Sequence, residues 1–205
     1  MKQLTFWVLV LFPLLGQAQT PLSERWLRGV VVLNNGDTTR GKLNYNTETE
    51  TLRLDANSSL KTYSTQQVNL FSLYDEESGQ TRLFRSLPFR YQSDYERPTF
   101  FEVLEDGQPL QLLGRERMSV QSVPVYDPFM NRTYYTNRMQ LTNDFFFREN
   151  EGRIRQYLGR KREVYLLLSD RKKEVKAFVK RNNLRFDRER DLVEIVKYYN
   201  QLKNG

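Results

Sequence analysis

Between residues 26 and 158, apolar side chains tend to fall at every second position, in short runs cut by Gly, Asn and Asp. Beyond Gly159 the spacing lengthens towards 3.6. A period of two marks half-buried strands and a period of 3.6 marks amphipathic helices. The first strand pair is the plainest. Val30-Val31-Val32-Leu33 is a β-branched run, and Leu43 and Tyr45 alternate with Lys42 and Asn44. Asn34-Asn35-Gly36-Asp37 between them is turn chemistry, because Asn and Gly tolerate the positive φ of tight hairpins. Gly29 and Gly41 flank this hairpin, and glycine inside a strand marks a bulge or a close backbone approach.

The alternation continues with Leu52 and Leu54 around Arg53, a turn at Asn57-Ser58-Ser59, and a return over residues 60–63. Residues 68–74 (VNLFSLY) are apolar in both registers, which predicts a central strand. Asp75-Glu76-Glu77-Ser78-Gly79 is a polar turn, and residues 82–87 form the next strand, weakened at its end by Pro88. Residues 100–104 (FFEVL) and 110–113 (LQLL) make a second hairpin around Glu105-Asp106-Gly107. Residues 114–143 are irregular, with Pro124 and Pro128 among polar residues and exposed-looking aromatics, and predict a long loop with room for one hairpin. Residues 144–149 and 153–158 close the β part.

In the last segment Val164, Leu167 and Leu168 share a helical face. Asp170 is the expected cap of a second helix carrying Val175, Phe178 and Val179, ended by Asn182-Asn183. Asp187 is the expected cap of a third, with Leu192, Ile195, Val196 and Tyr199 at i, i+3, i+4 and i+7. The fold class expected is α+β: a mainly antiparallel β roll or open barrel over residues 19–158, followed by two or three α-helices over residues 159–205 packed on it. The strands fall short of the repeated ~10-residue alternating segments of a membrane barrel.

Residues 1–18 stand apart. Lys2 precedes the apolar run 4–15 (LTFWVLVLFPLL), and Gly16-Gln17-Ala18 supplies small residues for cleavage after Ala18. That is the layout of a secretory signal peptide, and the run is shorter than the ~20 residues of a membrane span. The expected location is periplasmic, secreted or associated with the cell envelope, with no transmembrane segment in the mature chain.

Composition narrows the chemistry. Among 205 residues there is no His and no Cys. Ser–His–Asp and Cys–His catalysis, disulfides and ordinary zinc sites are therefore excluded. Carboxylate pairs, Ser–Lys dyads and Ca²⁺ sites stay open. The formal net charge is +7, and residues 151–205 hold 16 Lys+Arg against 8 Asp+Glu, so the basic excess sits in the helical segment.

Several stretches taken together, GVVVLNNGDTTRGKL, YSTQQVNLF, FFEVLEDGQPLQLL and VKAFVKRNNLRFDRERDLVEIVKYYNQL, follow a signal ending in GQAQ. The order resembles a group of exported proteins common in the Bacteroidota, similar in an early N-G-D-T-x-x-G-x-[IL] hairpin, a middle F-x-x-V-L-x-x-G hairpin and an ending like K-x-F-[VI]-K-x-N-x-L. The resemblance implies compartment and architecture. No activity is established for the group, so it assigns no catalytic residue.

Five stretches are weighed for chemistry. Glu102, Glu105 and Asp106 are the best carboxylate set for glycan hydrolysis, which needs two carboxyls ~5–10 Å apart, but Asp before Gly is ordinary turn chemistry. Asp75, Glu76 and Glu77 lack the spaced oxygens of a calcium loop. Residues 86–101 (SLPFRYQSDYERPTFF) interleave aromatics with Arg as a stacking platform would, though export argues against nucleic acid. Asp37-Thr38-Thr39 resembles the O-glycan acceptor of that bacterial group, against plain turn chemistry; Asn57 and Asn131 head N-x-[ST] matches of no meaning in a bacterium. Lys172, Lys173, Lys176, Lys180, Arg181, Arg185, Arg188 and Arg190 could meet anionic lipid, but Glu174, Glu189, Asp191 and Glu194 break the polar face. No set is assigned as catalytic, cofactor-binding or metal-ligating. The expectation is a non-catalytic envelope binding or structural module that contacts a protein or polymer. The alternative is a His-free carboxylate hydrolase acting on glycans.

Overall fold

A computed structural model of the chain describes residues 20–90, 95–150 and 152–205. The expected leader, residues 1–18, and its cleavage point lie outside the described residues. A 3₁₀ turn at Leu22–Glu24 leads into ten strands: β1 Leu27–Leu33, β2 Thr38–Asn46, β3 Thr51–Ala56, β4 Ser59–Ser64, β5 Val68–Asp75, β6 Gln80–Phe89, β7 Arg97–Glu105, β8 Leu110–Asp127, β9 Arg132–Glu149 and β10 Ile154–Tyr157. Three helices follow, α1 Lys161–Leu167, α2 Lys172–Arg181 and α3 Glu189–Asn204. The strands form one sheet in the order β10-β9-β8-β7-β6-β5-β1-β2-β3-β4. All its pairs are antiparallel. The α+β architecture is as the hydrophobic periods predict, and β5, apolar in both registers, is central.

The sheet curls on itself. Arg115 on β8 ion-pairs with Glu50 in the turn after β2, although β7, β6, β5 and β1 separate these strands in the sheet. Gly29 and Gly41, paired across β1 and β2, permit tight packing along this path. A Cβ on Gly29 would lie 2.1 Å from the Ser72 carbonyl oxygen, and one on Gly41 2.5 Å from that of Asp55.

The roll encloses Val31, Leu43, Tyr45, Leu52, Leu54, Val68, Phe71, Leu73, Phe84 and Phe100. Phe71 and Phe84 stack at 4.6 Å, with Tyr45 edge-on to both. Direct pairing puts Phe71, Phe84, Glu102 and Gly114 on one sheet face. Leu112 and Phe147 continue that face and receive the helices, which bury Val164, Leu168, Val175, Leu192, Ile195 and Val196 against them. The opposite face carries a smaller core of Leu87, Phe89, Phe101, Leu113 and Phe146. Asn200 ties α3 to the sheet by accepting from the Leu110 N–H at 3.1 Å and donating to the Leu110 carbonyl at 2.7 Å.

Three local expectations change. Asp170 and Asp187 do not cap their helices: the N-cap residues are Arg171 and Arg188, without side-chain bonds. Asp170 instead accepts from Tyr199 at 3.1 Å and Lys203 at 2.8 Å, and Asp187 accepts from Arg185. Tertiary partners on α3 take the Asp170 carboxylate, and the neighbouring Arg185 side chain takes that of Asp187. Residues 114–143 hold the one hairpin the pattern left room for, with no long loop beside it. They are the distal parts of β8 and β9, 18 residues each, paired rung by rung from Leu110↔Glu149 to Asp127↔Arg132. Pro124 fits because β8 has no neighbour among the described residues on its outer side there, so no ladder donor is lost. The Asn182-Asn183 stop is as expected: Asn183 takes φ 51°, and the Leu184 N–H bonds to the Val179 carbonyl at 3.0 Å, closing a Schellman motif.

Candidate functional site

Of the three acids on the middle hairpin, the structure separates Glu102 from the others. Glu102 accepts two bonds from the Arg82 guanidinium, at 2.7 and 2.6 Å. Asp106, at the exposed turn, accepts from Arg85 at 3.0 Å and from Gln111. Glu105 ends β7 beyond a bulge. The carboxylate brought to Glu102 is Glu116, which accepts from the same Arg82 at 2.7 Å. Glu116 lies two residues beyond Gly114, the register partner of Glu102, so both acids share a sheet face. Only correct register reveals that neighbour, and the bulge between Val103 and Glu105 hides it from spacing along the chain.

This cluster is charged and mostly enclosed. The Arg82, Glu102 and Glu116 side chains are 20%, 13% and 9% exposed. Burial alone lowers the Arg82 pKa, but the bonds and charges of Glu102 and Glu116 outweigh it and the net shift is upward. Glu189, at the start of α3, is pushed up by burial and by the charges of Glu102 and Glu116, while its bond from Asn143 at 2.9 Å opposes the rise. The second oxygen of Glu116 is buried without a hydrogen-bond partner. The cleft beside Glu116, about 210 Å³, is lined by Thr47, Glu48, Arg115, Arg117, Met118, Asp144 and Phe146, and not by Glu102. Two acids sharing one fixed guanidinium are locked as its counter-ions. Glycosidic acid–base chemistry needs one of them protonated and both facing a common cleft.

The remaining candidates resolve into structure. Asp75 takes two bonds from Arg25, at 3.2 and 2.7 Å, Glu77 lies 3.3 Å from the same guanidinium, and Glu76 pairs with Arg28. The Arg25 bonds hold Asp75 below the usual carboxylate range, against burial. Among the described residues no group of acids could hold a metal. In the aromatic stretch, Phe89, Phe100 and Phe101 are buried core, so their faces are not open to stack a ligand. Residues 91–94 of that stretch lie outside the described residues. Asp37 accepts from Asn35 at 2.7 Å in the first hairpin turn, and exposed Thr38 begins β2. The cations singled out on the helical segment are all exposed, while Val175 and Val179 face inwards.

What the residue pattern did not single out is the arm formed by distal β8 and β9. Beyond Ser119 these strands pair only with each other among the described residues. Register sorts their side chains. Met118, Val120, Ser122, Pro124 and Tyr126 on β8, with Thr133, Tyr135, Asn137, Met139 and Leu141 on β9, share one face. The other carries Arg117, Ser119, Gln121, Arg138 and Gln140 together with Val123, Val125 and Tyr134, and ends at the Asp127↔Arg132 pair. The first face bears no charge, and its large side chains are open: Val120 62%, Tyr126 59%, Tyr135 72% and Met139 58% exposed, with Phe129 at the tip 98% exposed. The signal was a period-two alternation in both strands, broken to the eye by Ser122 and Pro124.

No protein-family model matches the chain, and no curated protein or solved structure matches it. No helix among the described residues is long and apolar enough to cross a membrane.

Proposed function

We propose that the chain is a non-catalytic binding or structural module of the bacterial cell envelope, exported through its first 18 residues, and that the apolar face of the β8–β9 arm is its contact surface. The observation that carries this is the arm itself. A two-stranded ribbon is marginally stable alone in water. Here one bears an uncharged face, apolar except at Ser122, Asn137 and Thr133, that is larger than scattered surface hydrophobics require. The Arg82 cluster weighs against the carboxylate-hydrolase alternative, since both carboxylates of its convergent pair are committed to a guanidinium.

The contact surface is tested by a photo-crosslinking side chain placed at Tyr135 or at Gln121, on opposite arm faces, in cells that process the native leader. Adducts from Tyr135 and none from Gln121 are expected. No adduct from Tyr135, together with sugar release from a glycan panel that Glu102→Gln abolishes, would reverse the assignment in favour of the hydrolase. Export is tested separately by intact mass of the envelope-derived protein, expected to begin at Gln19; a mass retaining residues 1–18 overturns it.

A further inference from the structure

We infer that the occupant of the arm's apolar face is the same face of a second copy, giving a two-fold dimer with the arms laid antiparallel. The inference rests on the arm being the contact surface and adds the identity of the partner.

Three observations select a second copy. The first is area. With ~150–250 Å² for a fully exposed large side chain, the exposed fractions of Val120, Tyr126, Tyr135 and Met139 on the face amount to roughly 500 Å², and Phe129 and Met130 in the turn at its tip add roughly 300 Å². Face and tip together reach the ~800 Å² per partner of a standard stable interface. The second is charge. The basic excess sits in the helical segment, so the helical faces of two copies repel, whereas this face holds no ionisable acid or base outside its tyrosines. Arg117 and Arg138 stand on the opposite side. An anionic lipid surface would call for those cations on the contact face.

The third is complementarity under a two-fold axis. The half of the face nearest the body is flexible and aliphatic: Met118, Val120, Met139 and Leu141. The distal half is Pro124, Tyr126 and Tyr135, ending at Phe129. An isologous contact sets residue i against j and j against i. Antiparallel arms therefore lay the aromatic half of each copy on the Met-rich half of the other, and sulfur–aromatic contacts of this kind are favourable. The axis then passes the Ser122↔Asn137 rung, where small polar side chains from the two copies meet.

The test uses the chain expressed with its own leader and recovered from the envelope. Sedimentation at ~10 µM is expected to show a dimer, the concentration range that standard-size interfaces reach. Val120→Ser/Tyr135→Ser/Met139→Ser should sediment as a monomer with an unchanged circular dichroism spectrum, since these side chains are exposed and support no core. The chain has no cysteine, so Ser122→Cys reports the axis cleanly. It should form a disulfide-linked dimer under mild oxidation, while Gln121→Cys on the other face should not. A wild-type monomer at 100 µM overturns the dimer. If Tyr135 still yields adducts with another molecule, the arm remains a contact surface for a different partner, and flotation with anionic vesicles would name that partner as lipid. A monomer without adducts overturns both.

Discussion

Replacing Arg82 with Met would strand two carboxylates in the interior. All three side chains of the cluster are less than a third exposed: Arg82 20%, Glu102 13% and Glu116 9%. The ~0–1 kcal/mol of a surface ion pair therefore does not apply. Removing one partner of a buried pair costs ~3–5 kcal/mol, because the remaining charge stays desolvated without its counter-ion. Here two carboxylates lose the same guanidinium, and Glu189 adds a third negative charge nearby. The expected loss lies towards the upper end, about 4–5 kcal/mol, or a fall of about 2 M in the urea midpoint for a slope of ~2 kcal/mol/M.

Urea unfolding followed by tyrosine and tryptophan fluorescence measures this loss. Two controls separate electrostatics from lost packing. Arg82→Met/Glu102→Gln/Glu116→Gln removes the stranded charges and should recover at least half of the loss, as neutral replacements of buried ion pairs commonly do. Lowering the pH from 7 to 5 should also shrink the loss in the single variant. A carboxyl that protonates more readily when folded than when unfolded adds stability as pH falls. A loss below about 1 kcal/mol, equal at both pH values, would show that water reaches the cluster and would refute the reasoning.

Other outcomes follow from neighbouring features. Asp75, held below the usual carboxylate range by Arg25, contributes stability above its unfolded pKa of ~4 that disappears as pH falls through its folded value. Urea midpoints from pH 6 to pH 3 should therefore fall less steeply in Asp75→Asn than in the wild type, and equal slopes would contradict this. Gly29→Ala places a Cβ 2.1 Å from the Ser72 carbonyl oxygen and should cost at least ~3 kcal/mol, whereas Gly36→Ala meets no neighbour and pays only the ~1–2 kcal/mol of its φ of +91°. Reversal of that order by chemical denaturation would mean the roll relaxes at β1. Asn200→Leu leaves the Leu110 N–H and carbonyl unpaired for about 2–4 kcal/mol, and hydrogen exchange should show α3 opening ahead of β5. Unchanged α3 protection would assign its docking to the apolar contacts alone.

The elements legible in the chain were those specified by neighbours in sequence. Gly36 at φ +91° makes the first hairpin turn, and VNLFSLY occupies the middle of the sheet, where Val68, Phe71 and Leu73 are buried. The helix stop at Asn183 was legible for the same reason, since an Asn can take the positive φ that ends the helix. The distal arm was not, because Pro124 reads as a break unless the strand is known to lack an outer neighbour. The Asp170 assignment failed because its donors, Tyr199 and Lys203, are distant in sequence and belong to packing, and the Asp187 assignment failed because the Arg185 guanidinium two residues away outcompetes the helix N–H groups.

By itself, the sequence determined the order of strands and helices, the chemistries that an absence of His and Cys excludes, and the basic excess of the helical end. Each is a property of single residues or of short-range periodicity. Tertiary structure decided which acids meet and which apolar residues stay outside. Glu102 acquires Glu116 and Arg82 through strand register, and Glu50 reaches Arg115 because the sheet curls. Tyr135 and Met139 carry the same alternating pattern as the buried strands, yet remain in solvent because β8 and β9 run beyond every strand that could cover them. Hydrophobicity along the chain gives each side chain the same preference for burial wherever it lies, and only the three-dimensional arrangement sets whether a partner within this chain is there to satisfy it.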